Sequence, residues 1–181
     1  STKNIVETAE RLQDIGIEAL TIHGRTRKQM YKGEADWTLI GAVKNNQRMQ
    51  IPIFGNGDID SPEKALLYKD IYGVDGIMIG RASIGYPWIF NEIKAFLADG
   101  TYLPPPSFKE RVDAVEERLN FSIQWKGEKV GIAEMKRHYG NYFKGIPHFK
   151  SYKSALVLAN ELAEVQAIMS DIKNEFLTES L

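Results

Sequence analysis

The sequence predicts an α/β domain followed by an all-α domain. Three observations lead to this prediction. Helical periodicity alternates with short, almost continuous apolar runs up to about residue 100, a Pro104-Pro105-Pro106 run interrupts the pattern, and only helical periodicity follows. Continuous apolar strands are typical of a parallel sheet covered on both faces. We therefore expect two domains, at residues 1–103 and 104–181.

Helices and strands alternate through the predicted α/β domain. The near-helical spacing of Ile5, Ala9 and Leu12 predicts an opening helix. Three short apolar runs then predict strands, at residues 19–23, 51–54 and 76–79. Each strand leads to a helix with its own start signal, at Asp36, at Ser61-Pro62 and at Pro87.

The second domain is predicted to be a helical bundle. Ser107 and Glu110 have the spacing of a capping box, and an apolar stripe runs from Val112 to Ile123. Further helices are predicted over residues 130–142, 151–158 and 160–176.

Composition excludes several classes of protein. The 181 residues are 43% hydrophobic and 26% charged, which is ordinary for a globular protein and argues against a disordered or coiled-coil chain. Because cysteine is absent, this chain has no disulfide framework, thiolate zinc site or cysteine nucleophile. No apolar run approaches the roughly 18–20 residues of a membrane helix, and the first residues do not resemble a signal peptide. We therefore expect a cytoplasmic location.

The net charge of −1 conceals a basic segment at residues 126–153. This segment holds seven Lys or Arg and two Glu, a formal charge of +5, whereas residues 160–181 carry −4. Aromatic residues interleave with the basic ones: Tyr139, Tyr142, Phe143, Phe149 and Tyr152. Because cations neutralise phosphates and rings stack on bases, this mixture predicts a nucleic-acid-binding surface. Simple solvation of the charges is the alternative.

A charged loop follows the first predicted strand. His23 ends the strand, and Arg25 and Arg27 come directly after it. Ligands of parallel α/β proteins sit at such strand ends. His23 is therefore a candidate donor to a bound carbonyl or heterocycle, and the two arginines are candidate contacts for an anion or nucleic acid. A structural histidine and solvated arginines are the alternatives. His138 and His148, in the basic segment, are interpreted as solvated or phosphate-proximal rather than catalytic.

Glycine-containing turns end the next two strands. The second strand runs into Asn56-Gly57-Asp58, and the third ends at Gly80-Arg81. Exposed backbone N–H groups beside a guanidinium are typical of a phosphate site. Tight structural turns are the alternative. The sequence shows no metal-ligand cluster, P-loop or Gly-x-Ser-x-Gly motif.

These motifs resemble those of the tRNA-dihydrouridine synthase family, and of its bacterial branch in particular. The matching stretches of the first domain are LTIHGRTR (20–27), YKGEADW (31–37), IPIFGNGDI (51–59), VDGIMIGR (74–81) and PWIF (87–90). In the helical part, MKRH (135–138) and YFKG (142–145) resemble the family's basic helix motif. The matches follow the family's order along nearly the whole chain, and those of the first hundred residues are the more specific.

The resemblance implies the last three βα units of an FMN-dependent (β/α)₈ barrel, followed by a helical tRNA-binding domain. Members of the family reduce the C5=C6 bond of uridines in tRNA: hydride passes from flavin N5 to uracil C6, a cysteine protonates C5, and NADPH reduces the flavin. By position, the resemblance implies that His23 contacts the flavin. It also implies that the ribityl phosphate is held by Asn56, Gly57, Asp58, Gly80 and Arg81.

The resemblance further implies where tRNA contacts the chain. Arg25 and Arg27 match positions at which the substrate strand approaches. Contacts from the helical domain are expected at Lys136, Arg137, Lys144 and Lys150. One departure follows the phosphate arginine, where Ala82-Ser83 stand in place of the family's usual Gly-Ala.

Three predicted strands are fewer than the eight of a barrel. We therefore expect a fragment that lacks the catalytic cysteine and a flavin-contacting lysine, and that is inactive alone. The inner barrel face, with candidates Leu20, Ile22, Ile53, Ile77 and Ile79, would then be uncovered. Exposed apolar surface and open sheet edges predict self-association.

Two other interpretations of the sequence are open. Another FMN-dependent barrel oxidoreductase, similar to dihydroorotate dehydrogenase, would have no need of the basic helical domain. A stand-alone RNA-binding module would have no need of intact loops at the three strand ends.

Overall fold

The computed structural model describes residues 4–178, which divide into two compact units. The first unit comprises the described residues up to 83 together with residues 88–103. The second comprises residues 84–87 and the described residues from 104 onward. No helix within residues 4–178 is long and apolar enough to cross a membrane.

The first unit alternates helices and strands as the sequence predicts. Its elements are α1 (Ile5–Asp14), β1 (Leu20–His23), α2 (Thr38–Lys44), β2 (Ile53–Asn56), α3 (Pro62–Tyr72), β3 (Gly76–Met78), a short 3₁₀ turn (Arg81–Ser83) and α4 (Ile89–Asp99). The strands form a parallel sheet in the order β1-β2-β3, which confirms the expected parallel pairing. Helix α3 begins at Pro62, where the Ser61 side chain accepts a hydrogen bond from the backbone N–H of Lys64.

The register of the sheet brings three strand ends into one row. His23 pairs with Asn56, and Asn56 pairs with Met78. Paired residues of parallel strands point to the same side of a sheet. The strand ends predicted to carry a ligand therefore lie side by side at the carboxyl edge.

Helices of the first unit cover one face of the sheet. The apolar side chains that we expected on the inner barrel face lie on this covered face. Ile22 and Ile53 are buried, and a Cβ added at Gly55 would come within 2.0 Å of the Trp37 ring just before α2. The opposite face presents the exposed side chains of His23 and Met78.

The assignment of the inner barrel face was therefore wrong. Leu20, Ile22, Ile53 and Ile77 share the helix-covered side, and Ile79 lies after the end of β3. The uncovered side carries Thr21, His23, Phe54, Asn56 and Met78. Because the strands are apolar almost throughout, polar and apolar residues do not alternate along them. The sequence pattern therefore does not show which side chains point to the barrel interior.

The second unit is helical. Its elements are α5 (Phe108–Lys126), α6 (Glu128–Met135), α7 (Tyr139–Tyr142), α8 (Lys150–Leu158) and α9 (Leu162–Thr178). The capping box is confirmed, since the Ser107 side chain accepts from the backbone N–H of Glu110 and the Glu110 side chain accepts from that of Ser107.

Four of the five aromatic residues predicted to stack on bases form a core and not a stacking surface. Tyr139, Tyr142, Phe143 and Phe149 are each at most 5% exposed. The rings of Phe143 and Phe149 stack with centroids 4.3 Å apart. The predicted use of these aromatic residues to stack on bases was wrong, because burial of large rings stabilises the small helical unit.

Candidate functional site

An open cleft lies at the carboxyl edge of the sheet. Its volume is about 620 Å³. Six predicted cofactor-binding residues all line it: His23, Asn56, Gly57, Asp58, Gly80 and Arg81. The structure thus brings together residues that are up to 58 positions apart in the sequence.

The turn after β2 depends on a glycine. Gly57 has a φ of 135°, and a Cβ added there would come within 2.6 Å of the Ala35 Cβ. The buried indole of Trp37 donates from Nε1 to the Gly57 carbonyl at 3.0 Å. Asp58 follows with a φ of 57°, a left-handed conformation that few residues other than glycine adopt. The turn is therefore fixed by close packing and by a buried hydrogen bond.

The Asp58 carboxylate lies at the centre of the site. Both terminal nitrogens of Arg25 donate to it, Nη1 to Oδ1 at 2.8 Å and Nη2 to Oδ2 at 2.6 Å. The backbone N–H of Ala35 donates to Oδ2 at 2.7 Å. These bonds, that of Arg25 above all, lower the pKa of Asp58 to about 2, although partial burial opposes the shift. Asp58 is therefore ionised at neutral pH.

Arg25 is enclosed by the loop that follows β1. Its side chain is 3% exposed, and it also donates to the carbonyls of Lys32 and Gly33. The Asp58 hydrogen bond raises the pKa of Arg25 further. A guanidinium engaged by a carboxylate and two carbonyls is suited to holding the loop in place. The geometry therefore favours a positioning role for Arg25 over the expected contact with RNA.

Arg81 is the exposed cation of the cleft. Its Nη2 donates to Asp58 Oδ1 at 2.7 Å, and its guanidinium lies 4.5 Å from the centroid of the Tyr31 ring. The side chain is 52% exposed. Since a guanidinium has five N–H donors, the bond to Asp58 orients Arg81 while leaving donors for an anion.

Asn56 and His23 occupy the row of strand ends. The Asn56 side chain donates from Nδ2 to the Met78 carbonyl at 2.7 Å, which ties the end of β2 to that of β3. The imidazole of His23 is exposed in the same cleft. Other polar lining residues were not predicted, namely Tyr31, Glu34, Asp60 and Lys64. Tyr31 lies within a stretch that resembles the family, and this was the available signal.

The predicted RNA-contacting residues differ in their surroundings. Lys136 donates to Asn160 at 2.9 Å, and Arg137 forms an ion pair with Glu134 at 2.9 Å. Lys144 and Lys150 are exposed, as is Arg27 in the first unit. Local partners thus already engage two of the four basic residues expected in the helical unit.

Residues 4–178 include no group of three His, Cys, Asp or Glu side chains that is arranged to hold a metal ion. The cleft is lined instead by the Arg81 guanidinium and the Lys64 ammonium, by the glycine turns, and by three acidic residues, Glu34, Asp58 and Asp60. A guanidinium, an ammonium and backbone N–H groups are donors that bind phosphate and other oxyanions.

The chain is similar to known tRNA-modifying enzymes over almost its entire length. It is 39% identical to the tRNA-dihydrouridine synthase B of Pseudomonas putida over 176 residues, which are 97% of this chain and 51% of that protein. It is 44% identical to the tRNA-dihydrouridine synthase B of Shewanella oneidensis over 140 residues, 77% of this chain and 43% of that protein. The chain therefore spans about half the length of these curated relatives.

A relative from a third genus is similar to this chain to a comparable extent. The probable tRNA-dihydrouridine synthase 1 of Synechocystis sp. is 38% identical over 161 residues, which are 89% of this chain and 44% of that protein. The sequence profile of the family described as dihydrouridine synthase matches residues 1–177. On this match and these identities, the chain belongs to the dihydrouridine synthase family.

Proposed function

We propose that this chain is part of an FMN-dependent tRNA-dihydrouridine synthase, which reduces the C5=C6 bond of uridines in tRNA with NADPH as the source of electrons. Family membership and the names of the relatives support this function. They also favour it over a dihydroorotate-dehydrogenase-like enzyme and over a stand-alone RNA-binding module. We also propose a cytoplasmic location, which a tRNA substrate supports.

The observation that carries the proposal is the orientation of Arg81 by Asp58 beside the Gly57 turn. The cleft fits the phosphate end of FMN in two respects. A side chain at position 57 would collide with Ala35, so only glycine permits this turn, whose backbone lines the cleft. The negative charge of Asp58 is offset by the guanidinium groups of Arg25 and Arg81.

FMN, when bound, supplies the hydride, and the residues of this chain bind and orient it. In this proposal Gly57, Gly80 and Arg81 donate to the ribityl phosphate, Asp58 and Asn56 fix the turn, and His23 contacts the ring. The uncovered sheet face, which holds His23, Asn56 and Met78, then belongs to the interior of a (β/α)₈ barrel.

We assign no catalytic residue to this chain. The proton-donating cysteine of the proposed reaction is absent from its 181 residues. The chain alone is therefore expected to be inactive on tRNA and to bind FMN weakly. The helical unit contributes tRNA contacts through Lys136, Arg137, Lys144 and Lys150, and the first unit contributes Arg27.

The test of the phosphate site is titration of the chain with inorganic phosphate and with FMN, followed by ³¹P NMR. We expect weak binding of both, reduced about tenfold in Arg81→Ala because one charge-assisted contact is lost. Arg48→Ala is the matched control, since Arg48 is 62% exposed and forms its own ion pair, with Glu10, at 2.7 Å. Equal binding by the two variants would contradict the proposed site.

A further inference from the structure

A buried histidine joins two arginines in the helical unit. His138 is 6% exposed and lies between α6 and α7. Its Nε2 lies 3.0 Å from Nη2 of Arg118, on α5, and 3.3 Å from Nε of Arg137. A guanidinium donates but does not accept hydrogen bonds. Nε2 of His138 must therefore be the acceptor, and the imidazole is neutral with its proton on Nδ1.

The surroundings of His138 stabilise this neutral form. Burial lowers its pKa, and the positive charges of Arg118 and Arg137 act in the same direction, while Glu134 opposes them. Nδ1 has no hydrogen-bond partner within residues 4–178. The imidazole therefore accepts two hydrogen bonds at Nε2, both from arginines, and makes none at Nδ1.

The two guanidinium groups converge at a place with excess positive charge. Glu134 pairs with Arg137 at 2.9 Å and with Lys126 at 2.6 Å. Lys126 and Arg137 thus share one carboxylate, and Arg118, which contacts His138 instead, adds a third positive charge. Arg118 and Arg137 are exposed, and the Arg137 side chain is 69% exposed. Like charges brought this close favour the binding of an anion from solvent.

We propose that Arg118 and Arg137 form a two-guanidinium site for a phosphodiester group of RNA, and that His138 is the positioning residue that holds them together. This inference rests on the proposed tRNA-binding function and adds Arg118, which sequence reasoning missed. Paired guanidinium groups match phosphate oxygens through several parallel N–H bonds. His138 lies beneath the arginines and acts through them.

The first test measures tRNA affinity of the chain by fluorescence anisotropy over a series of salt concentrations. Arg118→Ala should weaken binding about tenfold and reduce the salt slope by about one, as expected for one lost phosphate contact. Lys109→Ala is the matched control. It removes the same charge from the same helix, but nine residues away and therefore on the opposite side of α5.

The second test separates positioning from simple stabilisation. His138→Leu removes the acceptor, whereas His138→Gln retains an acceptor oxygen. We expect His138→Leu to weaken tRNA binding about fivefold and His138→Gln to restore part of the loss. In an Arg118→Ala, Arg137→Ala background, His138→Leu should change the affinity no further, because His138 acts only through these residues. Equal losses in both backgrounds would overturn the positioning role.

Outcomes with surface variants test the site even if His138 variants fold poorly. If Arg118→Ala binds tRNA as well as Lys109→Ala does, the inference fails. The proposed function stands in that case if Lys144→Ala, Lys150→Ala still weakens tRNA binding. If the wild-type chain shows no salt-sensitive tRNA binding, both fail. If Arg118→Ala weakens binding of inorganic phosphate but not of tRNA, the site serves a free anion, and its assignment to RNA is overturned.

Discussion

The Asp58 carboxylate accepts hydrogen bonds from both terminal nitrogens of the Arg25 guanidinium, at 2.8 and 2.6 Å. It also accepts a hydrogen bond from Nη2 of Arg81, at 2.7 Å. One acidic residue thus connects the loop after β1 with the exposed cation of the cleft. Tyr31, from that loop, lies against Arg81. Asp58 is therefore suited to positioning the anion site, whereas its own negative charge would repel a phosphate.

The first prediction concerns the charge of Asp58. Asp58→Asn should lower the free energy of unfolding, because Arg25 would lose its carboxylate while remaining enclosed. It should also weaken phosphate binding, because Arg81 would lose its orienting partner. Urea unfolding and ³¹P titration measure the two effects. Asp60→Asn is the control, since Asp60 is exposed and its ion pair, with Lys64, is long at 3.8 Å. Similar stability in the two variants would contradict the prediction.

The second prediction concerns the stability of the chain at acidic pH. The pKa of Asp58 is about 2, below the ordinary value of 3.8 for an aspartate. Between these pH values the unfolded chain binds a proton that the folded chain does not, so the stabilisation from Asp58 is complete above about pH 4 and is lost as the pH falls toward 2. Urea unfolding from pH 5 to 3 should therefore show the wild type and Asp58→Asn converging in stability. A constant difference would show that Asp58 does not titrate in this range.

Much of the first unit could be predicted because its signals are local. Apolar runs and start signals such as Ser61-Pro62 predicted the strands and helices, and the carboxyl-edge rule of parallel sheets predicted that His23, Asn56 and Gly80 would share one cleft. The pairing of Arg25 with Asp58 joins residues 33 positions apart. It follows from the path of the loop, which no local pattern specifies.

In the helical unit, several predictions made from the sequence were wrong or incomplete. An aromatic residue among basic ones is compatible with a stacking surface or with a core, and Phe143 and Phe149 lie in the core. His138 was interpreted as solvated or near phosphate, yet it is 6% exposed. Arg118 went unnoticed because its charge lies outside the basic segment and approaches His138 only through the packing of α5 against α6.

The third prediction concerns the packing beneath the cleft. A Cβ at Gly55 would come within 2.0 Å of the Trp37 ring, and the hydrogen bond from Trp37 to the Gly57 carbonyl restricts the ring. Gly55→Ala should therefore lower the free energy of unfolding by about 3 kcal/mol, as in other overpacked cores. Gly80→Ala is the stability control, since a Cβ there meets no atom within 4 Å. Its effect on unfolding should stay within about 0.5 kcal/mol. Equal effects would contradict the close packing of Trp37 on the sheet.

The fourth prediction concerns His138 and pH. Its pKa is lowered from 6.5, so below this pH the unfolded chain binds a proton that the folded chain resists. Stability should therefore fall as the pH falls below about 6.5, and less steeply in His138→Gln. Arg118→Ala should also reduce the slope, because one of the charges that lower the pKa is removed. Urea unfolding at pH 7.5 and 5.5 measures the slopes, and identical slopes in all three proteins would exclude His138 as their source.

The last prediction concerns the uncovered face of the sheet. Within residues 4–178, β1 and β3 each pair with a neighbouring strand on one side only, and the exposed face carries Met78, which is 53% exposed, and the half-buried Phe54. Open edges pair with other chains, and buried apolar surface contributes about 25 cal/mol per Å². The chain should therefore self-associate, although His23, Thr21 and Asn56 make this face more polar than the isoleucine-rich face expected from the sequence.

Light scattering across a concentration series should show a mean mass that rises with concentration, and Met78→Lys should lower this mean mass. Ile71→Lys is the control, since Ile71 is 58% exposed on α3 and its replacement adds the same charge away from this face. A monomer at every concentration, with a cooperative thermal transition, would mean that this face tolerates solvent without a covering partner.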